Sequence, residues 1–281
     1  MKHFLAAVGF GVAVASIATP ASAVVVTVTS GPNPGVVFDS GGYENETVGT
    51  MPANASPGTY SLPLFGTVTG GNTSTATATS GSSAGGPPSA YSGLQYAAIT
   101  RTNGTIGLGS DFSRSIDLVT ESFTLEHAVW GTNTATAFGI GNNIASTTVA
   151  TAGVLAGWRY NPTFGDLGQY QNSIQDDPAP VGTPDELLAA PWNVGAWNTL
   201  SYSWNAATQA GTFTLNGVTV NAMPRQAGAG TSQAAPTTVN RFFASPGTNN
   251  TTVWMDSVPE PTSLAFVGLA GMAMLRRQRR A

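Results

Sequence analysis

Apolar and polar residues alternate along much of this chain, and the alternation predicts β-strands. The clearest case is the segment 121–130, which reads ESFTLEHAVW. One face of this predicted strand carries Phe123, Leu125, His127 and Val129. Trp130 falls on the opposite face with Thr124 and Glu126. One-sided alternation of this kind predicts a strand that buries one face and leaves the other in contact with solvent.

The same pattern recurs at intervals along the chain. Further strands are predicted at 93–101, 154–160, 169–174, 197–204, 239–244 and 252–258. One short helix is predicted at Asp185–Ala190, between Pro184 and Pro191. Many strands separated by regular turns predict an all-β fold, an antiparallel β-sandwich.

A hairpin is predicted over 212–220, where Asn216-Gly217 separates two short apolar runs. Asn-Gly favours a type I′ turn, which joins two strands through a two-residue loop. In that register Leu215 lies opposite Val218 and Phe213 lies opposite Val220, so all four side chains share one face.

One segment interrupts the pattern. Residues 67–89 are rich in Thr, Ser and Gly and predict a long loop or linker. The Thr alternation between Thr73 and Thr79 leaves open a second interpretation, a single weak edge strand.

The first 23 residues have the composition of a secretory signal peptide. Lys2 precedes an apolar run from Phe4 to Ala18, and Ala21-Ser22-Ala23 forms an A-x-A cleavage site. Cleavage is predicted before Val24, and the sandwich domain is therefore predicted to span residues 24–257.

The last 24 residues, 258–281, combine three features in a fixed order. Pro259-Glu260-Pro261 is followed by the apolar run Thr262–Leu275 and then by four arginines, Arg276, Arg277, Arg279 and Arg280. A helix over 262–275 would be about 21 Å long, short for a bilayer core of about 30 Å. Arginines directly after an apolar span stop its transfer and stay on the cytoplasmic side. A short transmembrane helix is therefore predicted here.

This order resembles the PEP-CTERM sorting signal. The resemblance implies recognition and cleavage of the tail by an exosortase after transient anchoring in the inner membrane of a Gram-negative bacterium. It also implies delivery to the cell surface or to an extracellular matrix rich in exopolysaccharide.

A second resemblance lies in the strands. The fragments SFTLEHAVW, WNTLSYSWN, TFTLNGVTV and VWMDSV, with the opening FDSGGYENETVGTMP, resemble concanavalin A-like and laminin G-like jelly rolls. Many jelly rolls tie their first and last strands with a structural calcium ion. The resemblance therefore implies a possible calcium site at Asp39 and Asp256, with Glu44 nearby, and no other cofactor.

Charge and cysteine content exclude several kinds of site. Residues 24–257 hold five arginines, no lysine and thirteen acidic residues, a net charge of −8. That balance disfavours nucleic acid as a partner, since phosphate contacts need basic residues. The chain has no cysteine, which excludes disulfides, thiol catalysis and cysteine-ligated zinc.

Catalytic motifs are missing from the sequence. His127 is the only histidine after the signal peptide, and no G-x-S-x-G motif accompanies it. We interpret His127 as an inner-face histidine with both ring nitrogens hydrogen-bonded. No strand carries the paired acids of a jelly-roll glucanase. Glu121 and Glu126 are five residues apart and point to opposite faces of a strand, and the pairs Asp176-Asp177 and Asp185-Glu186 lie in Pro-rich sequence. No catalytic residue is predicted, and the chain is not predicted to be an enzyme.

Aromatic side chains stack on sugar faces, and we predict glycan contacts at Trp130 and Trp158. The hypothesis from sequence is an exported, non-catalytic β-sandwich that binds polysaccharide or serves as a structural component of the cell envelope. The alternative is a glycoside hydrolase or polysaccharide lyase with a diverged jelly-roll site.

Overall fold

The computed structural model describes residues 24–61, 74–80, 82–101, 107–142, 154–160, 167–169, 186–187, 192–222, 236–247, 250–256 and 258. The predicted signal peptide and the predicted tail helix lie outside these residues. Within the described ranges, no helix is long and apolar enough to cross a membrane.

Two antiparallel sheets make up the described part of the chain. Their strands are β1 (Val24–Ser30), β2 (Gly35–Asp39), β3 (Thr59–Ser61), β4 (Ser74–Ser80), β5 (Gln95–Arg101), β6 (Leu108–Asp117), β7 (Ser122–Trp130), β8 (Thr136–Gly141), β9 (Val154–Tyr160), β10 (Leu167–Gln169), β11 (Glu186–Leu187), β12 (Trp197–Asn205), β13 (Ala210–Leu215), β14 (Val218–Ala222), β15 (Thr238–Pro246) and β16 (Thr251–Asp256). A single 3-10 turn spans Gly41–Tyr43.

Strand order defines the two layers. Sheet A runs β14-β13-β12-β7-β16-β5-β4, and β1 pairs with both β7 and β2. Sheet B runs β11-β10-β9-β8-β15-β6-β3. The chain therefore forms an all-β antiparallel sandwich, the predicted fold class.

The core lies between the two sheets. Alternate residues of β7 and β12 point inward from sheet A, and Phe123, Leu125, Leu200 and Tyr202 are almost completely buried. Sheet B contributes Trp158, whose ring stacks on Phe213 of sheet A with centroids 4.6 Å apart. Burial of each large apolar side chain contributes about 1.5–3 kcal/mol, so this interface holds the two sheets together.

Most predicted strands are confirmed, with small changes at their ends. The segment 154–160 matches β9 from end to end, and 121–130 differs from β7 by one residue. The segment predicted at 93–101 begins two residues later, as β5. Only Gln169 of the strand predicted at 169–174 is described, and it ends β10.

The predicted hairpin is confirmed in its turn and register. Asn216 and Gly217 have φ angles of 50° and 81°, as a type I′ turn requires. Leu215 pairs with Val218, and Phe213 pairs with Val220.

The predicted helix at Asp185–Ala190 is wrong where the structure describes it. Glu186 and Leu187 form β11, paired with Gln169 and Gly168 of β10. A helix of six residues is unstable by itself, and pairing with a neighbouring strand overrides its weak helical preference.

The edge-strand interpretation of the Thr-rich segment is confirmed. Ser74–Ser80 forms β4, which pairs with β5 along its whole length. Residues 82–89 follow it as turns and coil.

Candidate functional site

The face of sheet A that points away from the core, its outer face, carries a cluster of aromatic rings. We call it the Trp197 patch, and its members are Tyr91, Tyr96, Trp130 and Trp197. Trp197 is central: its ring centroid lies 6.1 Å from that of Tyr91, 6.0 Å from Tyr96 and 5.7 Å from Trp130. Each distance falls in the range of favourable aromatic pairs.

Strand register creates the patch. Trp197 begins β12, Trp130 ends β7, and the two residues lie directly opposite each other in the sheet. Side chains alternate between the two faces of a strand. Because the core residues of β7 and β12 point inward, both tryptophans point to the outer face. This confirms the prediction that Trp130 lies on the face opposite Phe123.

One member of the patch differs sharply from the other three in what it offers a ligand. Tyr96 is fully buried, and its hydroxyl lies 2.6 Å from the Ser83 hydroxyl. Trp130 and Trp197 are half-buried, and Tyr91 is 40% exposed. The patch therefore has a buried base and an accessible rim of three aromatic side chains.

The loop that carries Tyr91 is fixed from below by two carboxylates. Asp256 Oδ2 accepts the backbone N–H groups of Tyr91 and Ser92 at 2.5 and 3.1 Å. Glu44 Oε1 accepts those of Leu94 and Gln95 at 2.7 and 2.8 Å. The two acids bind four backbone donors and hold the loop in one conformation beside the sheet.

Trp197 also holds this loop. Its indole N–H donates to the Ser89 carbonyl at 3.1 Å, so the ring is fixed in orientation as well as position. Gly93, with φ of 69°, allows the chain to turn here, and an added Cβ would lie 2.2 Å from Glu44 Oε1. A glycine is therefore required at the point where the loop meets its carboxylate.

A second feature of the outer face is an open hollow of about 480 Å³ near the other end of β7. Eight of its eleven lining residues have hydroxyl or amide side chains, and none is charged. They include Thr29, Ser122, Thr124, Ser203, Asn205 and Thr212. Thr124 and Trp130 are six residues apart on β7, which separates the hollow from the Trp197 patch by about 20 Å.

Trp158, the second predicted glycan contact, lies in the core. Its side chain is 0% exposed and packs between Phe213 and Tyr202. No face of this ring is accessible to a sugar, so the prediction of a glycan contact at Trp158 is wrong. β9 belongs to sheet B, and its alternation turns Trp158 toward sheet A.

At the predicted calcium site, the described contacts of Asp39 and Asp256 are hydrogen bonds to backbone N–H groups. Asp39 Oδ1 accepts the Gly41 N–H at 2.7 Å, and Asp256 Oδ2 accepts the Tyr91 N–H. Among the described residues, no group of three or more His, Asp or Glu side chains is placed to hold a metal ion. Calcium takes six to eight oxygen ligands, backbone carbonyls and waters among them, so calcium at Asp39 and Asp256 stays a prediction.

His127 lies where the alternation predicts, on the inner face of β7, and is 1% exposed. Its ring contacts Phe138 and Phe242, with centroids 5.5 and 4.9 Å away. Neither ring nitrogen has a hydrogen-bond partner within the described part of the chain, so the prediction of satisfied nitrogens is wrong. Burial lowers the pKa of His127 from 6.5 to about 3. The ring is neutral near pH 7 and has no access to a ligand.

The acids that the sequence weighed for catalysis are not brought together. Glu121 is buried and forms a bidentate ion pair with Arg114, both N–O distances being 2.9 Å. Burial alone would raise the pKa of Glu121, but hydrogen bonds from Arg114 and the Asp117 N–H lower it. Glu126 lies on the outer face of β7 and is half-buried, whereas Asp176 and Asp177 lie outside the described residues.

Comparisons with known proteins give two kinds of similarity. Residues 257–280 match the PEP-CTERM protein-sorting motif. This match confirms the resemblance seen in the tail and marks the chain as an exported protein. No curated protein matches the chain.

Three of the solved structures to which the chain is similar are two lyases and a lectin. The alginate lyase from Corynebacterium sp. is 12% identical, with coverage of 85% of this chain and 97% of that one and a TM-score of 0.38. The endo-β-1,4-glucuronan lyase from Trichoderma reesei is 15% identical, covers 71% and 93%, and has a TM-score of 0.40. The metal-free lectin I-B4 from Griffonia simplicifolia is 16% identical, covers 66% and 90%, and has a TM-score of 0.36.

Proposed function

We propose that this protein is a non-catalytic, exported β-sandwich that binds a neutral polysaccharide through the Trp197 patch. The observation that carries the proposal is an accessible aromatic rim on the outer face of sheet A, held by Asp256, Glu44 and the Trp197 indole. Aromatic rings offer large apolar area at low entropic cost, and fixing them before binding avoids an ordering penalty.

The charge distribution favours a neutral ligand over an acidic one. Residues 24–257 carry a net charge of −8. Three arginines are already engaged: Arg114 with Glu121, Arg241 with Asp111, and Arg101 with the Pro246 carbonyl. Glu44 and Asp256 lie directly beneath the patch. A uronic acid or sulfated chain would meet repulsion here, whereas a neutral chain would not.

The uncharged hollow extends the proposed binding surface. A linear polysaccharide that lies along β7 would stack on Trp130 at one end of the strand. Hydroxyls of Thr124, Ser203 and Thr212 would face it at the other end. Such a surface offers aromatic stacking and neutral hydrogen-bonding groups along one direction.

The sorting tail supplies the proposed destination. PEP-CTERM processing by an exosortase would release residues 24–257 from the membrane at the cell surface. There the patch would anchor the protein to exopolysaccharide of a Gram-negative cell, or to its envelope.

Retention on a glycan array that contains neutral and acidic polysaccharides tests this function. We expect retention on one or more neutral polysaccharides and none on uronate-containing or sulfated ones. Binding that is confined to acidic glycans, or absent from every glycan, would refute it.

Incubation with the retained polysaccharide, and separately with a uronate-containing polysaccharide as a lyase substrate, tests the non-catalytic part of the proposal. We expect no new reducing ends and no rise in absorbance from unsaturated uronate. Steady release of either product would favour the alternative, a diverged hydrolase or lyase.

A further inference from the structure

β4 occupies one end of sheet A. It pairs antiparallel with β5 from Ser74 opposite Arg101 to Ser80 opposite Gln95. In the described part of the chain, β5 is the neighbour of β4 on one side, and β4 ends the strand order on the other. A terminal strand presents its outward N–H and C=O groups as a template for another strand.

The sequence of β4 lacks the usual protection of an edge. Natural edge strands carry charged residues, proline or bulges that prevent pairing with a second chain. β4 reads Ser-Thr-Ala-Thr-Ala-Thr-Ser, seven residues without charge or proline. Its register with β5 runs through all seven residues without a shift. A regular, uncharged edge of this length is open to pairing.

The same seven residues read identically in both directions, with Thr77 at the centre. β14, at the opposite end of sheet A, reads Val-Thr-Val-Asn-Ala and lacks this symmetry. Two antiparallel copies of a palindromic strand match each residue type with itself. Such a strand is suited to a twofold symmetric interface, in which the same surface serves both subunits.

We propose that two copies of this protein pair through β4, antiparallel and in a register centred on Thr77. Thr77 lies opposite its own copy, Ala76 opposite Ala78, Thr75 opposite Thr79, and Ser74 opposite Ser80. The pairing joins the two A sheets into one continuous sheet. Directly opposed residues in such a pair have Cα atoms about 4.5–5.5 Å apart.

This dimer does not depend on the proposed glycan binding. Trp130 belongs to β7, which β16 and β5 separate from β4. A dimer would present two Trp197 patches on one particle and raise the avidity for a polymer with repeated sites.

A charge-exchange experiment at position 77 tests the register directly. The full-length protein, purified in a nonionic detergent, is analysed by sedimentation over a range of concentrations as wild type, Thr77→Lys and Thr77→Glu. We expect a concentration-dependent dimer of the wild type. Each variant alone should be monomeric, because the twofold axis places like charges opposite each other. An equal mixture of the two variants should restore a dimer, since lysine then faces glutamate.

Thr219→Lys is the matched control, since Thr219 is an exposed threonine on the other terminal strand, β14. It should form the dimer like the wild type. Melting temperatures of all variants show whether each is folded. A wild type that stays monomeric overturns the proposal. A dimer that Thr77→Lys leaves intact, or that Thr219→Lys breaks, also overturns it. Failure of the mixed variants to pair would refute the register centred on Thr77.

Discussion

His127 places a titratable ring in the interior without a hydrogen-bond partner among the described residues. Only the neutral ring is compatible with contacts to Phe138 and Phe242, so its pKa in the folded chain falls to about 3. The unfolded chain binds a proton near pH 6.5. Stability from the neutral ring is therefore complete above pH 6.5 and is lost progressively as the pH falls toward 3.

The lowered pKa of His127 predicts a difference in pH dependence between the wild type and His127→Leu. Between pH 6 and pH 4 the unfolding free energy of the wild type should fall by up to about 1.4 kcal/mol per pH unit relative to the variant. Urea denaturation at a series of pH values measures it. At pH 8 the variant should be about as stable as the wild type, because leucine leaves no polar atom unpaired. Parallel stability curves for the two proteins would contradict the argument.

Asp39 and Asp256 bind backbone N–H groups, and this role predicts that calcium contributes little to stability. Addition of a chelator to the purified protein should leave its melting temperature unchanged. Free calcium at a hundred times the dissociation constant of such a site would add about 2.7 kcal/mol to the free energy of unfolding. For a domain of this size its loss would lower the melting temperature by roughly 5–10 °C. A decrease of that size on chelation would support a calcium site at these acids.

At the scale of elements, the loop 89–95 determines the shape of the Trp197 patch. Glu44→Ala removes the acceptor of the Leu94 and Gln95 N–H groups. We expect faster hydrogen exchange at these two amides and weaker glycan binding, because only Asp256 and Trp197 then hold the loop that carries Tyr91. Asp117→Ala is the control, since Asp117 accepts the Val119 N–H and the Thr120 hydroxyl in a turn outside the patch. Unchanged exchange at Leu94 and Gln95 in Glu44→Ala would show that the carboxylate does not fix the loop.

Several strands were predictable from sequence, whereas β1, β6 and β8 were not predicted. β7 and β12 alternate regularly, and the Asn216-Gly217 turn sets the register of its hairpin. β8 was missed because all six of its residues are buried and alternation is therefore absent. In β1, every second residue points inward, as Val24, Val26 and Val28 do, but the strand directly follows the predicted signal peptide and was not recognised.

The candidate site was predictable in part for a similar reason. Trp130 could be placed on the outer face because its own strand alternates clearly. The patch as a whole joins Tyr91 to Trp197 across more than a hundred residues, and no local pattern records that contact. Trp158 was misplaced because one strand does not show on which side of it the second sheet lies.

For the whole molecule, the described features combine into one account. The sorting tail directs export, the sandwich presents an outer face with accessible aromatic rings, and the acidic balance of the chain favours neutral ligands. Each feature comes from a different part of the sequence. The central claim is that the Trp197 patch binds a neutral polysaccharide.

Calorimetric titration of the purified protein with the neutral polysaccharide it retains tests that claim most directly. The comparison is between wild type, Trp130→Ala and the control Val36→Ala, which truncates an exposed apolar residue of β2 that is remote from the patch in sequence and does not line the hollow. Loss of one stacking ring should cost about 1–2 kcal/mol, so that Trp130→Ala binds about 5- to 30-fold more weakly. Val36→Ala should bind like the wild type. Equal affinity of all three proteins would contradict the account.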